Sequence, residues 1–416
     1  MSEWKKYKLS EIYTMSSGIS SSKSQAGQGS PFLSFSTVFN NYFIPENLKD
    51  LMLTTKEEQE RFSIIEGDVF LTRTSETLDE LALSSVALNN YPFATFSGFL
   101  KRLRPINKIK VYPKFIAFYL RSSYFRKTII NHTTMTLRAS FNESMFSYLE
   151  VYLPDYDEQV RIGDFLYKLN QKIALNNQIN QELEAMAKTL YDYWFVQFDF
   201  PDENGRPYKS SGGKMVYNDQ LKREIPEGWG VDSLWNIATF YNGLAMQKFR
   251  PASETAESLP VIKIREMFSG FSKDTEKASI DIPKEAVVES GDILFSWSAT
   301  LEVIFWGGEK GALNQHIFKV TSEKYPKSFI YNELRSYLKV FKTIAELRKT
   351  TMGHITQDHL KQAMIIVPPS DLIDEIDNRI SLILKQQLDL KQQNQELTQL
   401  RDWLLPMLMN GQARVK

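Results

Sequence analysis

The sequence predicts an α+β protein built from two similar strand-rich domains joined by two long helices that form an antiparallel coiled coil. The first observation behind this fold class is an internal repeat, because short landmarks of the first half recur in the same order in the second half. The second observation is a seven-residue apolar repeat that closes each half. Together these patterns predict a pseudo-two-fold internal repeat.

Four landmarks recur between the halves with offsets of 213 to 225 residues. Each with its counterpart, they are Trp4 and Gly18 with Trp229 and Gly243, Gly67 and Asp68 with Gly291 and Asp292, residues 112–114 with 325–327, and residues 148–154 with 362–368. The Gly-Asp pairs precede apolar residues and predict a turn that leads into a strand. Four landmarks in one order are hard to obtain by chance, so we expect two copies of one unit.

The repeat divides the chain into five segments. They are a first globular domain at residues 1–157, a first long helix at 158–197, a linker at 198–223, a second globular domain at 224–370 and a second long helix at 371–416. The linker contains many turn-forming residues, so we expect it to be exposed.

Each long helix carries one line of apolar residues with seven-residue spacing, which we call the seam. The seam residues are Ile162, Leu169, Asn176, Leu183 and Leu190 in the first helix and Ile376, Ile383, Leu390, Leu397 and Leu404 in the second. The neighbouring line of the first helix consists of Phe165, Lys172, Ile179, Met186 and Tyr193. A sustained seam favours a partner helix, and the polar Asn176 would fix its register.

The length of the helices also favours pairing. A helix of about 35 residues is about 50 Å long, which exceeds the width of a domain of about 150 residues. We therefore expect the two helices to pair with each other. Packing of each helix on its own domain is the alternative.

Composition indicates a globular protein of a reducing compartment. Hydrophobic residues make up 42% and charged residues 24% of the chain, which is typical of globular proteins. The absence of cysteine excludes disulfides and thiol chemistry. No apolar run approaches the roughly 18 to 20 residues of a membrane span, so we expect a cytoplasmic protein without membrane contact. The 50 basic and 50 acidic residues cancel, which taken alone argues against a nucleic-acid binder, although basic residues cluster locally, as at residues 101–104.

The sequence contains no catalytic constellation. Residues 211–215 approach a phosphate-binding loop, but Tyr208 replaces its first glycine and Met215 its hydroxyl residue. His354 and His359 are five residues apart, whereas two metal ligands on one helical face are three or four apart. We therefore expect neither an enzyme nor a metal site.

Four segments resemble those of a known protein family. They are LEAMAKTLYDYWFVQFD at 183–199, PYKSSGGKM at 207–215, IPEGW at 225–229 and LRDWLLPMLMNGQ at 400–412. In this order, and together with the repeat, they resemble the specificity (S) subunits of Type I restriction-modification enzymes. The resemblance covers essentially the full length of the chain.

The resemblance implies a non-catalytic subunit that recognises double-stranded DNA with a bipartite target. Each globular domain would be a target recognition domain for one half of the target. The coiled coil would set the gap and dock two methyltransferase (M) subunits, and restriction/translocase (R) subunits would join the complex. No cofactor is expected on this chain, whereas S-adenosylmethionine, ATP and Mg²⁺ are expected on the partner subunits. A coiled-coil scaffold that binds protein partners without DNA readout is the alternative.

The candidate DNA-binding residues are polar and basic loop positions next to predicted strands. In the first domain they are Thr72, Arg73, Thr74, Ser75, Arg138 and Ser140, and in the second domain Ser296, Trp297, Ser298, Arg348, Lys349, Thr350, His354 and Thr356. These residues follow the strand after each Gly-Asp pair or precede the last strand of each domain. Lys101, Arg102 and Arg104 are expected to lie at a sheet edge and to contact only solvent.

Overall fold

The computed structural model of the chain describes residues 4–20, 22–75, 80–131, 139–347 and 354–415. It divides into two compact units, which are Met1–Ile173 with Glu396–Lys416, and Ala174–Gln395. We call them the first unit and the second unit. Each unit contains strands and shorter helices together with part of each long helix. Within the described ranges, no helix is both long enough and apolar enough to span a lipid bilayer.

The first unit begins with strands and short helices and ends in a long helix. Its strands are β1 (Lys5–Lys8), β2 (Tyr13–Ser17), β3 (Ala26–Leu33), β4 (Asp50–Met52), β5 (Val69–Thr72), β6 (Thr74–Ser75), β7 (Ser84–Val86), β8 (Thr95–Phe96), β9 (Leu100–Pro105), β10 (Ala139–Ser140) and β11 (Glu150–Leu153). Its helices are α1 (Leu9–Ile12), α2 (Phe35–Asn40), α3 (Lys56–Arg61), α4 (Pro113–Arg121), α5 (Ser123–Asn131), α6 (Glu143–Tyr148) and α7 (Tyr156–Tyr191), of which α7 continues into the second unit.

The second unit follows the same plan after an additional hairpin. Its strands are β12 (Met215–Asn218), β13 (Arg223–Pro226), β14 (Gly230–Ser233), β15 (Thr239–Asn242), β16 (Ser258–Ile262), β17 (Lys277–Ser279), β18 (Val287–Val288), β19 (Ile293–Ser296), β20 (Glu302–Phe305), β21 (Gly311–Leu313), β22 (Ile317–Thr321) and β23 (Met364–Val367). Its helices are α8 (Leu234–Ile237), α9 (Ile264–Ser269), α10 (Lys327–Leu347), α11 (Gln357–Gln362) and α12 (Ser370–Met409), of which α12 continues into the first unit.

The strand order is repeated between the units. A four-stranded antiparallel sheet has the order β2-β9-β5-β7 in the first unit and β15-β22-β19-β20 in the second. A second sheet has the order β4-β3-β8 in the first unit and β17-β16-β21-β18 in the second. The first and last strands of each domain also pair, as β1 with β11 and as β14 with β23. The predicted α+β class, with two strand-rich regions and two long helices, is thereby confirmed.

Interior strands of the four-stranded sheets are buried on both faces. In β5, Val69 and Leu71 join the core formed with Phe115 of α4, whereas Phe70 points to the opposite face and contacts Phe96 of β8. The corresponding residues of β19 are Ile293 and Phe295, in the core with Phe341 of α10, and Leu294, in the core with Leu313 of β21. Successive side chains of a strand alternate between its faces, so a strand covered on both sides reads as a continuous apolar run.

The repeated glycine after the first tryptophan of each half is explained by a close approach of two backbones. A Cβ atom on Gly18 would lie 2.3 Å from the carbonyl oxygen of Ser97, and one on Gly243 would lie 2.2 Å from that of Asn314. The residue after Gly18 bridges the two backbones, because the Ile19 N–H donates to the carbonyl oxygen of Phe96 at 2.9 Å. No residue other than glycine fits this contact without movement of the backbone.

The repeated Gly-Asp pair builds a turn around a buried carboxylate. Gly67 and Gly291 have φ angles of 86° and 85°, which favour glycine. Asp68 accepts a hydrogen bond from the Ile65 N–H at 2.9 Å and pairs with Arg104 at 2.7 Å. Asp292 accepts from the Glu289 N–H at 2.9 Å and pairs with Lys319 at 2.8 Å, so both carboxylates close the turn and neutralise a strand cation.

The two long helices are in contact within each unit. In the second unit, Asn176 of α7 donates to Asn394 of α12 at 2.9 Å, and Gln387 donates to the carbonyl oxygen of Asn180 at 3.0 Å. Residue numbers rise along α7 as they fall along α12, so this pairing is antiparallel. In the first unit, Arg401 donates to the side chain of Asn170 at 3.0 Å.

The segment 198–223, expected to be an exposed linker, is exposed over most of its length and is anchored by a few aromatic side chains. Phe198 and Phe200 are buried, and the Phe200 ring stacks on Tyr208 with a centroid distance of 4.6 Å and packs against Trp229 at 5.0 Å. A Cβ atom on Gly213 would meet the Tyr208 ring at 2.4 Å, which explains the glycine there. Aromatic residues between the turn formers anchor the segment to the core, because each buries a large apolar area.

Gly18→Ala and Gly243→Ala should each destabilise the unit that carries the substitution by roughly 1–3 kcal/mol, because the new methyl group overlaps a carbonyl oxygen. Denaturant unfolding of the full chain measures the effect. Gly230→Ala is the control, since its Cβ would be 3.8 Å from its nearest neighbour. Equal stability of Gly18→Ala and Gly230→Ala would contradict this explanation of the repeat.

Asp292→Asn should lower the free energy of unfolding on the order of 3 kcal/mol near pH 7, because Lys319 loses its buried partner. Burial opposes the charge, but the Glu289 N–H and Lys319 outweigh it and hold the pKa of Asp292 below its ordinary value. This stabilisation is present above about pH 4, the unfolded value, and is lost as the pH falls through the lower folded value.

The difference between wild type and Asp292→Asn should therefore shrink in acid, as measured by denaturant unfolding at several pH values. The exposed Asp281→Asn is the matched control, and we expect it to change stability little at any pH. A difference between wild type and Asp292→Asn that stays constant down to pH 2 would contradict the assignment.

Candidate nucleic-acid interface

The structure brings together two of the candidate segments in the first unit. Strand β6 pairs with β10, so Thr74 lies opposite Ser140. Arg73, just before β6, accepts a hydrogen bond from the Phe141 N–H at 2.8 Å and donates its own N–H to the carbonyl oxygen of Phe99 at 2.9 Å. Residues far apart in the sequence thus meet at one end of the four-stranded sheet.

The second unit repeats the same backbone contacts with other residues. Trp297 accepts a hydrogen bond from the Ile355 N–H at 2.8 Å and donates its own N–H to the carbonyl oxygen of His316 at 3.3 Å. Trp297 therefore takes the place of Arg73, and His354 the place of Ser140. We call the surface around Arg73, Thr74 and Ser140 the sheet end of the first unit, and the surface around Trp297 and His354 the sheet end of the second unit.

Two of the candidates support the sheet ends from inside. Thr72 and Ser296 are fully buried at the ends of β5 and β19. The Thr72 hydroxyl donates to the carbonyl oxygen of Glu80 at 3.1 Å and accepts from the Leu83 N–H at 2.9 Å. The Ser296 hydroxyl accepts from the Glu302 N–H at 2.9 Å. Both hydroxyls close a loop and are not presented to solvent.

The sheet end of the first unit presents basic and hydroxyl groups. Arg73 is exposed, while Thr74, Ser75 and Ser140 are half-buried. Lys101 of β9 donates to the Ser17 hydroxyl at 2.8 Å. Burial and the nearby charge of Arg73 lower the pKa of Lys101 despite the opposing effect of Glu143. Two neighbouring cations held this way suit contacts to phosphates or to guanine.

The sheet end of the second unit presents rings and an amide instead. The Trp297 ring lies 5.6 Å from that of His316 and 6.1 Å from that of His354, measured between centroids. Its indole N–H donates to the side chain of Asn242 at 2.9 Å. Ser298 is nearly buried, and its hydroxyl lies 3.2 Å from Nδ1 of His316. Such a surface suits stacking and hydrogen bonds to base edges.

Of the remaining candidates, the structure describes only Thr356. Thr356 begins helix α11, where its N–H donates to Nδ1 of His359 at 3.0 Å, so it serves as a helix cap. Arg138, Arg348, Lys349 and Thr350 lie outside the described residues.

Three arginines of the first unit make their contacts inside the fold. Arg102 is buried and donates to the carbonyl oxygen of Ser63 at 2.6 Å, and Arg104 pairs with Asp68, so the expectation that they contact only solvent was wrong. Arg121 donates to the carbonyl oxygens of Ser84, Val38, Phe39 and Asn41. Its burial lowers its pKa to about 10.

Ser17, Asn242, Phe99 and His316 also lie at the sheet ends and are not among the residues predicted from the sequence. Ser17 and Asn242 directly precede the repeated glycines Gly18 and Gly243. The repeat itself was therefore the signal that could have found them. Phe99, which is 67% exposed, corresponds to His316 through the shared backbone contact, and only the strand pairing reveals this.

The seam residues of both helices face inward. All ten are buried or half-buried. The neighbouring line of α7, however, consists of Leu166, Ile173, Asn180 and Ala187 rather than the line that begins at Phe165, of which Met186 is 59% exposed. The second buried line of α7 therefore lies four residues beyond each seam position, not three.

An amide cluster lies at the middle of the seam in the second unit. The Asn176 side chain donates to Asn394, and Asn394 donates to Asn177 at 2.8 Å. No group of acidic and histidine side chains that could hold a metal ion occurs among the residues that the structure describes.

The chain is similar to a known protein family and to several of its members. The family model described as Type I restriction modification DNA specificity domain matches residues 1–185 and 226–399. The Type I restriction enzyme HindI specificity subunit of Haemophilus influenzae is 24% identical over 474 residues, covering 99% of this chain and 100% of that protein. The Type I restriction enzyme MjaIX specificity subunit of Methanocaldococcus jannaschii is 23% identical over 343 residues, covering 80% of this chain and 75% of that protein.

A solved structure has the same fold. The crystal structure of the S subunit of the Type-I restriction-modification system from M. genitalium superposes with a TM-score of 0.57 at 14% identity, covering 98% of this chain and 96% of that one. The family model covers well over half of this chain in two segments, one for each copy of the repeat. The chain therefore belongs to the Type I restriction-modification specificity family and is the non-catalytic DNA specificity subunit of such a system.

Proposed function

We propose that the sheet end of each unit reads one half of a bipartite DNA target. The observation that carries this proposal is a shared backbone framework with different side chains. The first unit presents Arg73 and Lys101, whereas the second presents Trp297, Asn242 and His316. A constant framework with divergent side chains is what two different half-sites require, because the docking geometry stays the same while the base contacts change.

Energetics favour two reading sites over one. Each good contact to a base edge contributes about 1–3 kcal/mol of discrimination. Specific binding exceeds non-specific binding by roughly 4–10 kcal/mol, and one small sheet end reaches only a few base pairs. Two sheet ends on one chain add their discrimination, so the repeat supplies the selectivity that a single domain lacks.

We further propose that the paired helices set the gap between the two half-sites. The amide hydrogen bonds from Asn176 to Asn394 and from Gln387 to Asn180 support this role. A polar pair on an apolar seam fixes the register of two helices. A fixed register is what a constant gap requires.

The same helices are proposed to dock two methyltransferase subunits. Several large apolar side chains of α7 and α12 are between 41% and 68% exposed, namely Leu175, Met186, Leu382, Leu400 and Trp403. Apolar side chains of this size on a surface favour contacts with protein. Restriction/translocase subunits would join the complex, and S-adenosylmethionine, ATP and Mg²⁺ would bind to the partner subunits, while this chain binds no cofactor.

The experiment that tests the proposal is a genome-wide map of N6-methyladenine. The chain is expressed with its methyltransferase partner in a host without this methylation. We expect a split motif that depends on this chain, with halves that change separately when residues 1–157 or 224–370 are exchanged for those of a relative. A stable complex that adds no methylation would favour a protein scaffold instead.

Arg73→Ala should relax the first half of the motif alone, and Trp297→Ala the second half alone, because each removes a side chain from one sheet end. We expect roughly tenfold weaker discrimination at one or two positions of the affected half. Methylation maps of the two variants provide the measurement. Arg61→Ala, which removes an exposed arginine from α3, is the matched control. Weaker base discrimination in both halves of the motif in either variant would contradict the proposal that each sheet end reads one half.

Insertion of seven residues into both helices, after residues 178 and 392, should lengthen the gap by about three base pairs. Seven helical residues add about 10 Å, and base pairs are about 3.4 Å apart. The paired insertion keeps the seam in phase, whereas an insertion into α12 alone displaces the amide cluster and should weaken the complex. An unchanged gap in a stable double-insertion variant would contradict the proposal that the helices set the gap.

A further inference from the structure

Asn242 occupies a fixed and exposed position at the sheet end of the second unit. It is the last residue of β15 and directly precedes the glycine that carries the close backbone contact. Its backbone is held opposite Phe318 by the pairing of β15 with β22. Its side chain is exposed to solvent next to Trp297. The position of this amide is therefore set by the sheet and not by a free loop.

The orientation of the Asn242 amide is set by Trp297. The indole nitrogen of Trp297 lies 2.9 Å from Oδ1 of Asn242, and an indole N–H can only donate. The amide oxygen must therefore face the indole, and the Nδ2 group faces away from it. No hydrogen bond from this Nδ2 group to another described residue is present, so both of its N–H donors remain for a ligand.

Trp297 is itself held in place from several sides. Its backbone bonds to His316 and to Ile355, and its ring packs against Phe318 with a centroid distance of 5.9 Å. A tryptophan fixed in this way cannot follow the amide if the amide rotates. The pair thus behaves as one rigid group that turns its amino donors outward and its acceptor oxygen toward the indole.

We propose that Asn242 reads one base of the second half-site as a donor only. In the major groove, guanine offers N7 and O6 as acceptors, adenine offers N7 and thymine offers O4, whereas cytosine offers only its amino donor. An asparagine pairs with adenine through two hydrogen bonds only when both its oxygen and its amino group face the base, but here the oxygen faces the indole. The base that faces Asn242 is therefore guanine, thymine or adenine, and cytosine is rejected. This inference rests on the proposed function of the second sheet end.

Within this proposal Trp297 is a positioning residue for Asn242 in addition to a surface ring. Its N–H decides which atom of the amide meets the DNA. Loss of that N–H alone should therefore change base preference even though the ring remains. A purely structural tryptophan would not have this effect on a single base position.

Two substitutions test the proposal on the assembled complex. Asn242→Asp keeps an acceptor for Trp297 but replaces the outward donors by an acceptor. Trp297→Phe keeps a ring but releases the amide. Methylation by the purified complex is measured on a DNA library randomised within the second half-site, and base preferences are normalised to the total activity of each variant.

We expect Asn242→Asp to shift one position of the second half toward cytosine or adenine, which offer amino donors, by roughly tenfold or more. We expect Trp297→Phe to weaken discrimination at that same position by roughly tenfold. The first half should be unchanged in both variants. Unchanged preferences throughout the second half in both variants, or effects at different positions, would overturn the proposal.

The matched control is Asn218→Asp in the β12–β13 hairpin. It adds the same negative charge to the second unit, and the aspartate can still accept the hydrogen bonds from the Gln220 and Leu221 N–H groups. A shift in base preference equal to that of Asn242→Asp would assign the effect to charge and overturn the proposal. Failure of the proposed function is distinguishable, because the wild-type complex would then show no half-site that depends on the second unit.

Discussion

Both sheet ends depend on one constraint, which is the absence of a side chain where two backbones touch. At Gly18 and Gly243 the chain leaves the four-stranded sheet and passes directly over a carbonyl oxygen, that of Ser97 in the first unit and that of Asn314 in the second. The next residue bonds at 2.9 Å across this contact in each unit, from Ile19 to Phe96 and from Leu244 to Leu313. This crossing joins the two sheets of each unit, so the residues before each glycine come to lie at the sheet end.

The distribution of charge follows from the same packing. Arg102, Arg104 and Arg121 satisfy carbonyl oxygens and the buried Asp68 inside the first unit. Burying a cation costs free energy unless such partners are present, so these arginines are structural groups. A zero net charge and a locally basic sequence are therefore compatible. Arg73 at the sheet end is exposed, so its charge is available for the DNA contacts proposed above.

The polar residues between the long helices lower the stability of the helix pair but fix its register. Asn176 and Asn180 are buried, and the Oδ1 atom of each has no hydrogen-bond partner among the described residues. Each unsatisfied acceptor costs about 1–3 kcal/mol. An apolar seam alone would also fit after a shift by one heptad, whereas the hydrogen bond from Asn176 to Asn394 forms in one register only. The cost is consistent with a helix pair that serves as a measure.

The sequence by itself determined the repeat, the fold class, the two long helices and the polar Asn176 on the seam. These are local or periodic properties, which a chain displays without its tertiary structure. It did not determine which polar residues face outward, because Thr72 and Ser296 look like any other hydroxyl residues until the loops close over them. It also could not join Asn242 to Trp297, which are separated by 55 residues and meet only through strand pairing. Tertiary structure decided the composition of the sheet ends, since hydrogen bonds between distant strands and not local spacing bring those side chains together.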